Sequence, residues 1–302
     1  DFRQVDKVVA AMAKVDAVVH LGAIVGDPAC ALDEELTVEV NLIATRMVAE
    51  VAKGRGIKRF IFASSCSVYG ASEELLTEDS ALNPVSLYAR TKLASERVLN
   101  EMADHRFAPV SLRFATVYGL SGRTRFDLVV NMLAARAVAD GEITVFGGDQ
   151  WRPFVHVDDV ARAICLTFQA PADFWRGSQV FNVGSNGQNY TIGRVAELVQ
   201  QSVPGARLVD IGSDGDRRNY RVDFTRIQQT LGFEPHWTIQ DGIRQVTDSI
   251  RLGQVKDYRD PAHSNVMYYR QLRAAGLISQ RGTWVREFLE SNTVGATLPR
   301  TT

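Results

Sequence analysis

Short apolar runs alternate with longer amphipathic stretches through the first two thirds of the chain. The runs Val15–Val19, Phe60–Ala63 and Val110–Phe114 are rich in β-branched and aromatic residues, which predicts strands. Between them, Leu36–Lys53 and Tyr88–Ala103 have helical length, and the first is apolar on several faces, which predicts a buried helix. This alternation predicts a parallel sheet covered on both faces, the doubly wound α/β architecture.

The pattern changes after residue 120. Apolar residues recur at helical spacing in residues 157–168 and 192–203, and Asp158 is placed to cap the first of these two helices. Gly-rich loops lie around them, at residues 147–148, 184–187 and 212–215. We therefore expect a smaller lobe built over a cleft.

The bulk properties exclude several classes of protein. The chain has 302 residues, 45% hydrophobic and 23% charged, as in a soluble protein of one large domain or two modest ones. A formal net charge of -1 gives no basic field for nucleic acid or an anionic membrane, and no apolar run reaches the roughly 18 residues of a spanning helix. Cys30, Cys66 and Cys165 are widely spaced and the five histidines show no ligand spacing. We expect neither a disulfide framework nor a metal site, and a reducing cytoplasm is the default location.

A serine-rich strand end and a tyrosine–lysine pair carry the candidate chemistry. Residues 64–70 (SSCSVYG) follow a predicted strand, and Tyr88 and Lys92 open a predicted helix, where residues four apart share a face. A phenol titrates near pH 10 and a nearby ammonium favours its ionised form, so we expect Lys92 to lower the pKa of Tyr88. With a serine as hydrogen-bond donor, the set could take a proton from an alcohol as hydride leaves its carbon. Tyr88 and Lys92 alone could equally be an exposed helical pair, and the serines upstream favour the catalytic interpretation.

Several further segments follow one order along the chain. They are His20-Leu-Gly-Ala23 after a strand, Asn41 in the next helix, residues 62–70 (FASSCSVYG), 88–92 (YARTK), 112–119 (LRFATVYG) and 152–160 (RPFVHVDDV). In this series the chain resembles the extended short-chain dehydrogenases/reductases, the NAD-dependent epimerase/dehydratase family that includes nucleotide-sugar 4-epimerases. The resemblance runs from Asp1 to about residue 250.

The resemblance implies a domain organisation. Residues 1–120 would form an incomplete Rossmann-like dinucleotide-binding domain to which residues 155–183 return, and residues 121–302 mainly a smaller α/β substrate-binding lobe and a C-terminal tail. The family's G-x-x-G-x-x-G loop between first strand and first helix does not occur in this sequence. We expect Asp1 to follow two βα units, so that roughly 60 residues precede it in the whole protein.

The resemblance also implies roles for individual residues. Tyr88 would be the acid/base, Lys92 its partner and a ligand of the nicotinamide ribose, and Ser65 the donor to the substrate oxygen. Residues implied to bind the cofactor, besides Tyr88 and Lys92, are Asp1, Phe2, Leu21, Gly22, Ala23 and Asn41, with a solvated chain end as the other interpretation of Asp1. Residues implied to bind substrate are Ser65, Ser67, Thr116, Arg152 and Arg218.

Some of these assignments depart from the family pattern or leave alternatives. Thr116 stands where many sugar-nucleotide epimerases have an asparagine. Arg152 and Arg218 would clamp a diphosphate, for which a planar guanidinium is well suited, and Arg217 and Arg221 remain alternatives to Arg218. We interpret Asp158 and Asp159 as helix-capping or structural carboxylates, and His156 as a packed strand residue.

Residue types near the catalytic serine separate the reactions of this family. The 4,6-dehydratases carry Asp-Glu after that serine, where this chain has Cys66 and Ser67. The 3,5-epimerase/reductases carry a cysteine at the place of Ser67, and a side chain one position earlier on an extended segment points the opposite way. Cys66 is therefore interpreted as a packing residue.

The remaining interpretation is NAD-dependent epimerisation at C4 of a nucleotide-diphosphate sugar through a transient 4-keto intermediate. An NAD(P)H-dependent 4-ketoreductase or a dehydratase is the alternative, and a non-catalytic dinucleotide-binding protein is a third. NAD is the expected cofactor, although the sequence does not separate it from NADP, and a homodimer is the expected assembly.

Overall fold

The structure is a computed structural model that describes residues 1–212 and 218–277. The strands in these ranges are β1 (Ala17–His20), β2 (Arg59–Ser65), β3 (Leu75–Leu76), β4 (Ala108–Phe114), β5 (Thr116–Tyr118), β6 (Glu142–Val145), β7 (Trp151–His156), β8 (Gln179–Val183), β9 (Asn189–Thr191), β10 (Arg207–Asp210) and β11 (Arg221–Val222). The α-helices are α1 (Val5–Ala11), α2 (Asp27–Cys30), α3 (Glu34–Val38), α4 (Ala44–Gly54), α5 (Leu87–Met102), α6 (Val129–Ala139), α7 (Val157–Gln169), α8 (Ile192–Ser202), α9 (Thr225–Leu231), α10 (Ile239–Arg251) and α11 (Asn265–Ala274). The chain end at 294–302, Arg217 and most of the 212–215 loop lie outside the described residues.

The central sheet is parallel, with the strand order β1-β2-β4-β8. Successive side chains of a strand point to opposite faces of the sheet. Phe60 and Phe62 of β2 therefore pack with residues of α1, α4 and α5, whereas Ile61 packs with residues of α7 and α9. Helices cover both faces, so the predicted doubly wound α/β class is confirmed.

The predicted elements of this layer differ from the observed ones mainly at their ends. β1 begins at Ala17 rather than Val15, and β2 and β4 extend beyond the predicted runs. The predicted helix Leu36–Lys53 is divided into α3, a π-helical turn at Glu39–Ile43, and α4. Asn41 lies in that turn, where its buried side chain accepts from the Ile24 amide and donates to the Ile24 carbonyl. Since π-helical turns are frequent at functional sites, this departure from the helical pattern is informative.

A second group of elements packs beside the central sheet. Strands β5, β7 and β9 form one small sheet and β6 pairs with β10, while residues of α6, α8 and α10 share a separate apolar core. Helix α7 leads back to the central sheet, and its N-cap is His156, whose Nδ1 accepts from the Asp158 amide. The prediction that Asp158 caps this helix is therefore wrong, because the imidazole of the preceding strand already holds that position.

Candidate active site

The first turns of α5 carry the candidate acid/base residues. Ser86 begins the helix because its hydroxyl accepts from the Ala89 amide. Tyr88 and Lys92 lie one turn apart on the helix face that is directed at the carboxyl end of β2. The Lys92 ammonium donates to the Ala63 carbonyl oxygen at 2.7 Å and lies 5.9 Å from the centroid of the Tyr88 ring.

The strand end brings Ser65 to the same place. Ser65 is the last residue of β2, and its hydroxyl accepts from the Ser67 amide and hydrogen-bonds the phenol of Tyr88. The structure therefore brings Ser65, Tyr88 and Lys92 together, as the sequence predicts. Their convergence follows from one strand that ends opposite one helix, so it needs no unusual backbone geometry.

Burial controls the proton affinities of this group. It lowers the pKa of Lys92 to about 8, against opposing effects of Cys30 and Glu96. It also raises the pKa of Tyr88 well above its ordinary value, with Cys30 as the next cause and the hydrogen bond from Ser65 opposing it. The expectation of a lowered Tyr88 pKa is therefore wrong for the free protein, because desolvation of the phenolate outweighs the groups that lower this pKa, Ser65 and Arg125.

A cavity of about 360 Å³ opens in front of these residues. It lies at the carboxyl ends of the parallel strands, where open α/β sheets bind their ligands. Predicted site residues that line it are Leu21, Ser65, Ser67, Tyr88, Lys92, Thr116 and Arg218. Among the described residues the buried Ser67 hydroxyl has no hydrogen-bond partner. A polar atom left in this way at a cavity wall is suited to bind a ligand, because an unsatisfied buried hydroxyl is otherwise costly.

Two arginines give the cavity a cationic wall. Arg218 forms an ion pair with Asp27 at 3.3 Å, which joins the first residue of α2 to the segment before β11. Arg125 also lines the cavity and is held by Asp127, to which its Nε and Nη2 donate at 2.9 and 3.0 Å. Sequence reasoning missed Arg125, since it lies in a loop with no motif. The sequence signal that could have identified Arg125 is its position shortly before the apolar run that forms α6.

Arg152 is not among the residues that line this cavity. Its guanidinium is buried, donates to the carbonyl oxygens of Trp151 and Arg218, and lies 5.9 Å from the Tyr220 ring centroid. The structure thus places Arg152 behind the backbone that carries Arg218. Arg221, the described alternative to Arg218, lies against the Trp151 ring and donates to the Glu73 carbonyl.

Of the other residues predicted to bind cofactor, Leu21 follows β1, whereas Asp1 and Phe2 precede α1. Leu21 is 55% exposed and lines the cavity. The Phe2 ring packs edge-on to His20 and against Gly22, where a Cβ atom would come within 2.6 Å of it. Asp1 forms an ion pair with Arg3. A side chain at position 22 would therefore require the Phe2 ring to shift, so Phe2 is packed against the loop after β1.

Gly22, Ala23 and Asn41 do not line the cavity. Asn41 is 1% exposed and holds the backbone of Ile24 through both ends of its amide. Asn41 therefore lies behind the loop that follows β1, and its hydrogen bonds fix the backbone of that loop beside the cavity.

Residues interpreted as structural do lie outside the cavity. Asp159 is fully buried and accepts from the amides of His236 and Trp237, and the His156 ring stacks on Trp237 at 3.9 Å. Cys66 is fully buried and donates to the Arg113 carbonyl, and burial raises the pKa of its thiol. The burial and contacts of Asp159, His156 and Cys66 agree with their interpretation as packing or structural groups, whereas Asp158 is exposed and does not cap α7.

In the described part of the chain no helix is both long and apolar enough to cross a bilayer. A search of the same residues for three or more clustered His, Cys, Asp or Glu side chains that could hold a metal ion found none.

The fold is a doubly wound parallel α/β sheet, and Ser65, Tyr88 and Lys92 lie together at the cavity beyond its strand ends. The family model "NAD dependent epimerase/dehydratase family" matches residues 1–184, and the chain belongs to this family. It is 30% identical to a UDP-glucose 4-epimerase of Mycolicibacterium smegmatis over 79% of this chain and 77% of that protein. It is also 30% identical to a dTDP-glucose 4,6-dehydratase of Streptomyces griseus, over 77% and 70%.

A similar solved structure is MoeE5 in complex with UDP-glucuronic acid and NAD. The two chains superpose with a TM-score of 0.73 at 31% identity, and the alignment covers 82% of each. Relatives of this chain are NAD-dependent nucleotide-sugar epimerases and dehydratases, so the chain is an enzyme of this type.

Proposed function

We propose that this chain catalyses NAD-dependent epimerisation at C4 of a nucleotide-diphosphate sugar. The observation that carries the proposal is the convergence of Ser65, Tyr88 and Lys92 at one wall of a cavity whose other wall carries Arg218. The first group suits proton transfer at a sugar hydroxyl, and the guanidinium suits a diphosphate. Relatives that are UDP-glucose and UDP-glucuronate 4-epimerases support the same assignment.

The residues present fit the nicotinamide ribose of a bound dinucleotide, whereas the Gly-rich loop that would hold its pyrophosphate is not in this sequence. The cavity lies beyond the strand ends, Leu21 presents an apolar surface there, and an ammonium has three donors, of which Lys92 gives one to Ala63. The remaining donors of Lys92 and the Tyr88 hydroxyl would hold the ribose of NAD. When bound, NAD supplies the acceptor and donor of the C4 hydride and, in its oxidised form, a positive charge.

The chain's own groups manage the proton and the orientation of the sugar. Ser65 donates to the oxygen on C4, and ionised Tyr88 takes the hydroxyl proton while the C4–H bond breaks and the C4–O bond becomes a carbonyl. Tyr88 returns the proton when the hydride is added to the opposite face. Arg218, released from Asp27, would hold the diphosphate while the keto sugar rotates in the cavity. Both faces of C4 can then be presented to one fixed site.

The residues after Ser65 weigh against dehydration. Cys66 is fully buried in the turn after β2 and burial raises the pKa of its thiol, so it is not placed to act at C5 or C6. Ser67 is at the cavity wall, but a hydroxyl has neither the acidity nor the basicity of a carboxylate. Ser67 is instead proposed to hydrogen-bond a sugar hydroxyl through the Oγ atom that has no partner among the described residues.

The test uses the whole protein with NAD+ and without NADH. A panel of UDP-, dTDP- and GDP-hexoses and hexuronates is followed by NMR, with absorbance at 340 nm recorded in parallel. A C4 epimer without net change in nicotinamide absorbance is expected. Oxidation of added NAD(P)H by a 4-keto sugar, without epimer formation, would assign the ketoreductase reaction instead.

A third possibility is a protein that binds a dinucleotide without catalysis. Tyr88→Phe keeps the ring and removes the acid/base group, and Tyr190→Phe, in β9 and not among the residues that line the cavity, is a control. We expect only the first variant to lose turnover. Equal activity of both variants would favour the binding protein.

Assembly and location belong to the same proposal. We propose a homodimer in the cytoplasm, with the faces of α4 and α5 that point away from the sheet as its contact. Light scattering coupled to gel filtration measures the assembly, and a mass equal to one chain would contradict the dimer.

A further inference from the structure

Helix α5 contacts three consecutive residues of β2 from three successive turns. Tyr88, Lys92 and Glu96 are spaced by four, so their side chains share one helix face. The contacts are Tyr88 with the Ser65 hydroxyl, Lys92 Nζ with the Ala63 carbonyl oxygen at 2.7 Å, and Glu96 Oε1 with Ser64 Oγ at 2.5 Å. The first two contacts belong to residues of the proposed chemistry, and the third lies directly behind them.

Glu96 is bound to an arginine of the neighbouring strand. Glu96 and Arg113 are only 6% and 3% exposed. The Arg113 guanidinium donates to both carboxylate oxygens, from Nε to Oε1 at 3.0 Å and from Nη2 to Oε2 at 2.7 Å. In such a pair the loss of hydration offsets much of the attraction, so its main effect is a fixed geometry rather than a large gain in stability.

The pair is fixed to the sheet as well as to the helix. Arg113 of β4 lies opposite Ser64 of β2 on one side and Asn182 of β8 on the other. Arg113 Nη1 donates to the Tyr69 hydroxyl at 2.9 Å, and that hydroxyl donates to Asn182 Oδ1 at 2.8 Å. A continuous polar line therefore crosses three parallel strands and ends at the residue before Ser65.

We propose that Glu96 and Arg113 are positioning residues of the active site, which hold Ser64 and thereby fix Ser65 and Lys92 against Tyr88. Neither Glu96 nor Arg113 is among the residues that line the cavity, so both act through Ser64 and the strand backbone. The kinetic measurements described below rest on the proposed function, whereas the NMR titration of Lys92 does not depend on it.

The charge of Glu96 also faces the Lys92 ammonium. The titratable groups around Lys92 are Tyr88 and Glu96 from α5, His20 from β1 and Cys30 from α2. Burial lowers the Lys92 pKa to about 8, and Glu96 opposes that effect. Loss of the carboxylate, with Arg113 left uncompensated nearby, removes support for the ammonium. The Lys92 pKa then falls further, so the alkaline limb of the kcat profile moves to lower pH.

Two variants separate positioning from packing, and a third is their control. Ser64→Ala removes one contact and leaves the ion pair intact. Glu96→Gln keeps the shape and removes the charge. Ser249→Ala is the matched control, because Ser249 is 2% exposed and its hydroxyl donates only to a helix carbonyl, that of Val246, in α10.

The measurements are kcat and KM against pH, the melting temperature, and NMR titration of lysine side chains in the cofactor-free protein. We expect Ser64→Ala to lower kcat about tenfold with little change in KM, as a small misplacement of Ser65 would. Ser64→Ala should lower the melting temperature more than Ser249→Ala does, because the Ser64 hydroxyl donates to a carboxylate, and Ser249→Ala should leave kcat unchanged. Glu96→Gln should lower kcat and move both the Lys92 titration and the alkaline limb to lower pH.

Unchanged kcat in Ser64→Ala would overturn the proposal, as would a Lys92 titration in Glu96→Gln that coincides with that of the wild type. If Glu96→Gln does not fold, Ser64→Ala decides alone. Absence of turnover in the wild type would count against the proposed function, whereas the NMR titration would still test the role of Glu96.

Discussion

Lys92→Met replaces a buried ammonium by an apolar side chain of similar length. Lys92 is 3% exposed, and burial lowers its pKa from 10.5 to about 8. Each pKa unit corresponds to about 1.4 kcal/mol, so at neutral pH the buried charge destabilises the folded state by about 3 kcal/mol. Methionine removes this cost but leaves the Ala63 carbonyl without its donor, which costs about 1–2 kcal/mol. The variant should therefore be inactive and yet about 1–2 kcal/mol more stable at pH 7.

The difference in the free energy of unfolding between Lys92→Met and the wild type should change with pH in a defined direction. Below about pH 8 both the folded and the unfolded chain hold the Lys92 proton, and the folded state carries the full cost. Between about pH 8 and 10.5 the folded protein has lost that proton and the unfolded chain keeps it. The free energy of unfolding of the wild type therefore rises through this window relative to that of Lys92→Met. The advantage of the variant should vanish or reverse by about pH 10.

Urea unfolding followed by circular dichroism at several pH values between 7 and 10 measures this difference. Lys53→Met is the matched control, because Lys53 also donates to a backbone carbonyl, that of Met102, but its side chain is 35% exposed. Its charge is partly exposed and paired with Asp104 at 2.8 Å, so its removal should give no gain at pH 7. The reasoning would be refuted if the free energies of unfolding of Lys92→Met and the wild type changed in parallel with pH across the whole range.

Tyr88→Phe should lower kcat by about a thousandfold while binding of the nucleotide sugar, measured by calorimetry, changes little, because the lost hydroxyl is the acid/base group. Arg218→Met should raise KM for the nucleotide sugar at least ~10-fold in steady-state kinetics, since a charge-assisted contact to the diphosphate is lost, whereas Asp27→Asn should not raise it. Cys66→Ala should leave kcat within about twofold and lower the free energy of unfolding by about 1 kcal/mol in urea, as for a packing residue. A large loss of kcat in Cys66→Ala would instead place the thiol in the chemistry.

The placement of Ser65, Tyr88 and Lys92 could be predicted from the sequence because it depends on local structure. Runs of β-branched and aromatic residues predict β2, and spacing by four places Tyr88 and Lys92 on one helix face. A strand followed by a helix that packs back on it brings Ser65 to that face. These relations involve neighbours along the chain or a single crossover, so a pattern of residue types can predict them.

Contacts between distant loops could not be predicted in this way. Arg125 enters the cavity because Asp127 orients it, and Asp127 in turn accepts from the amide of Asn265, far along the chain. Arg152 lies behind the cavity because its guanidinium supports the Arg218 backbone. Neither placement follows from residue type, since an arginine is equally suited to bind a phosphate or a carbonyl oxygen.

Desolvation is the other property that the sequence does not carry. Spacing by four correctly predicts that an ammonium lies near Tyr88, but the degree of burial depends on residues such as Cys30, which α2 brings against the phenol. The sign of the Tyr88 pKa displacement was therefore predicted wrongly from a correct neighbour. Counting the charges near a titratable group does not predict the direction of its pKa shift when the group itself is buried away from water.

Burial has two opposite effects on the residues around this cavity. A dry surrounding strengthens the hydrogen bonds of Ser65 and Lys92, but it disfavours the phenolate of Tyr88 and the ammonium of Lys92 alike. Each charge therefore depends on an opposite charge close by. Glu96 provides one for Lys92 within the chain. In the proposed reaction Tyr88 becomes a base only when a further positive charge enters the cavity, so proton transfer is confined to the filled site.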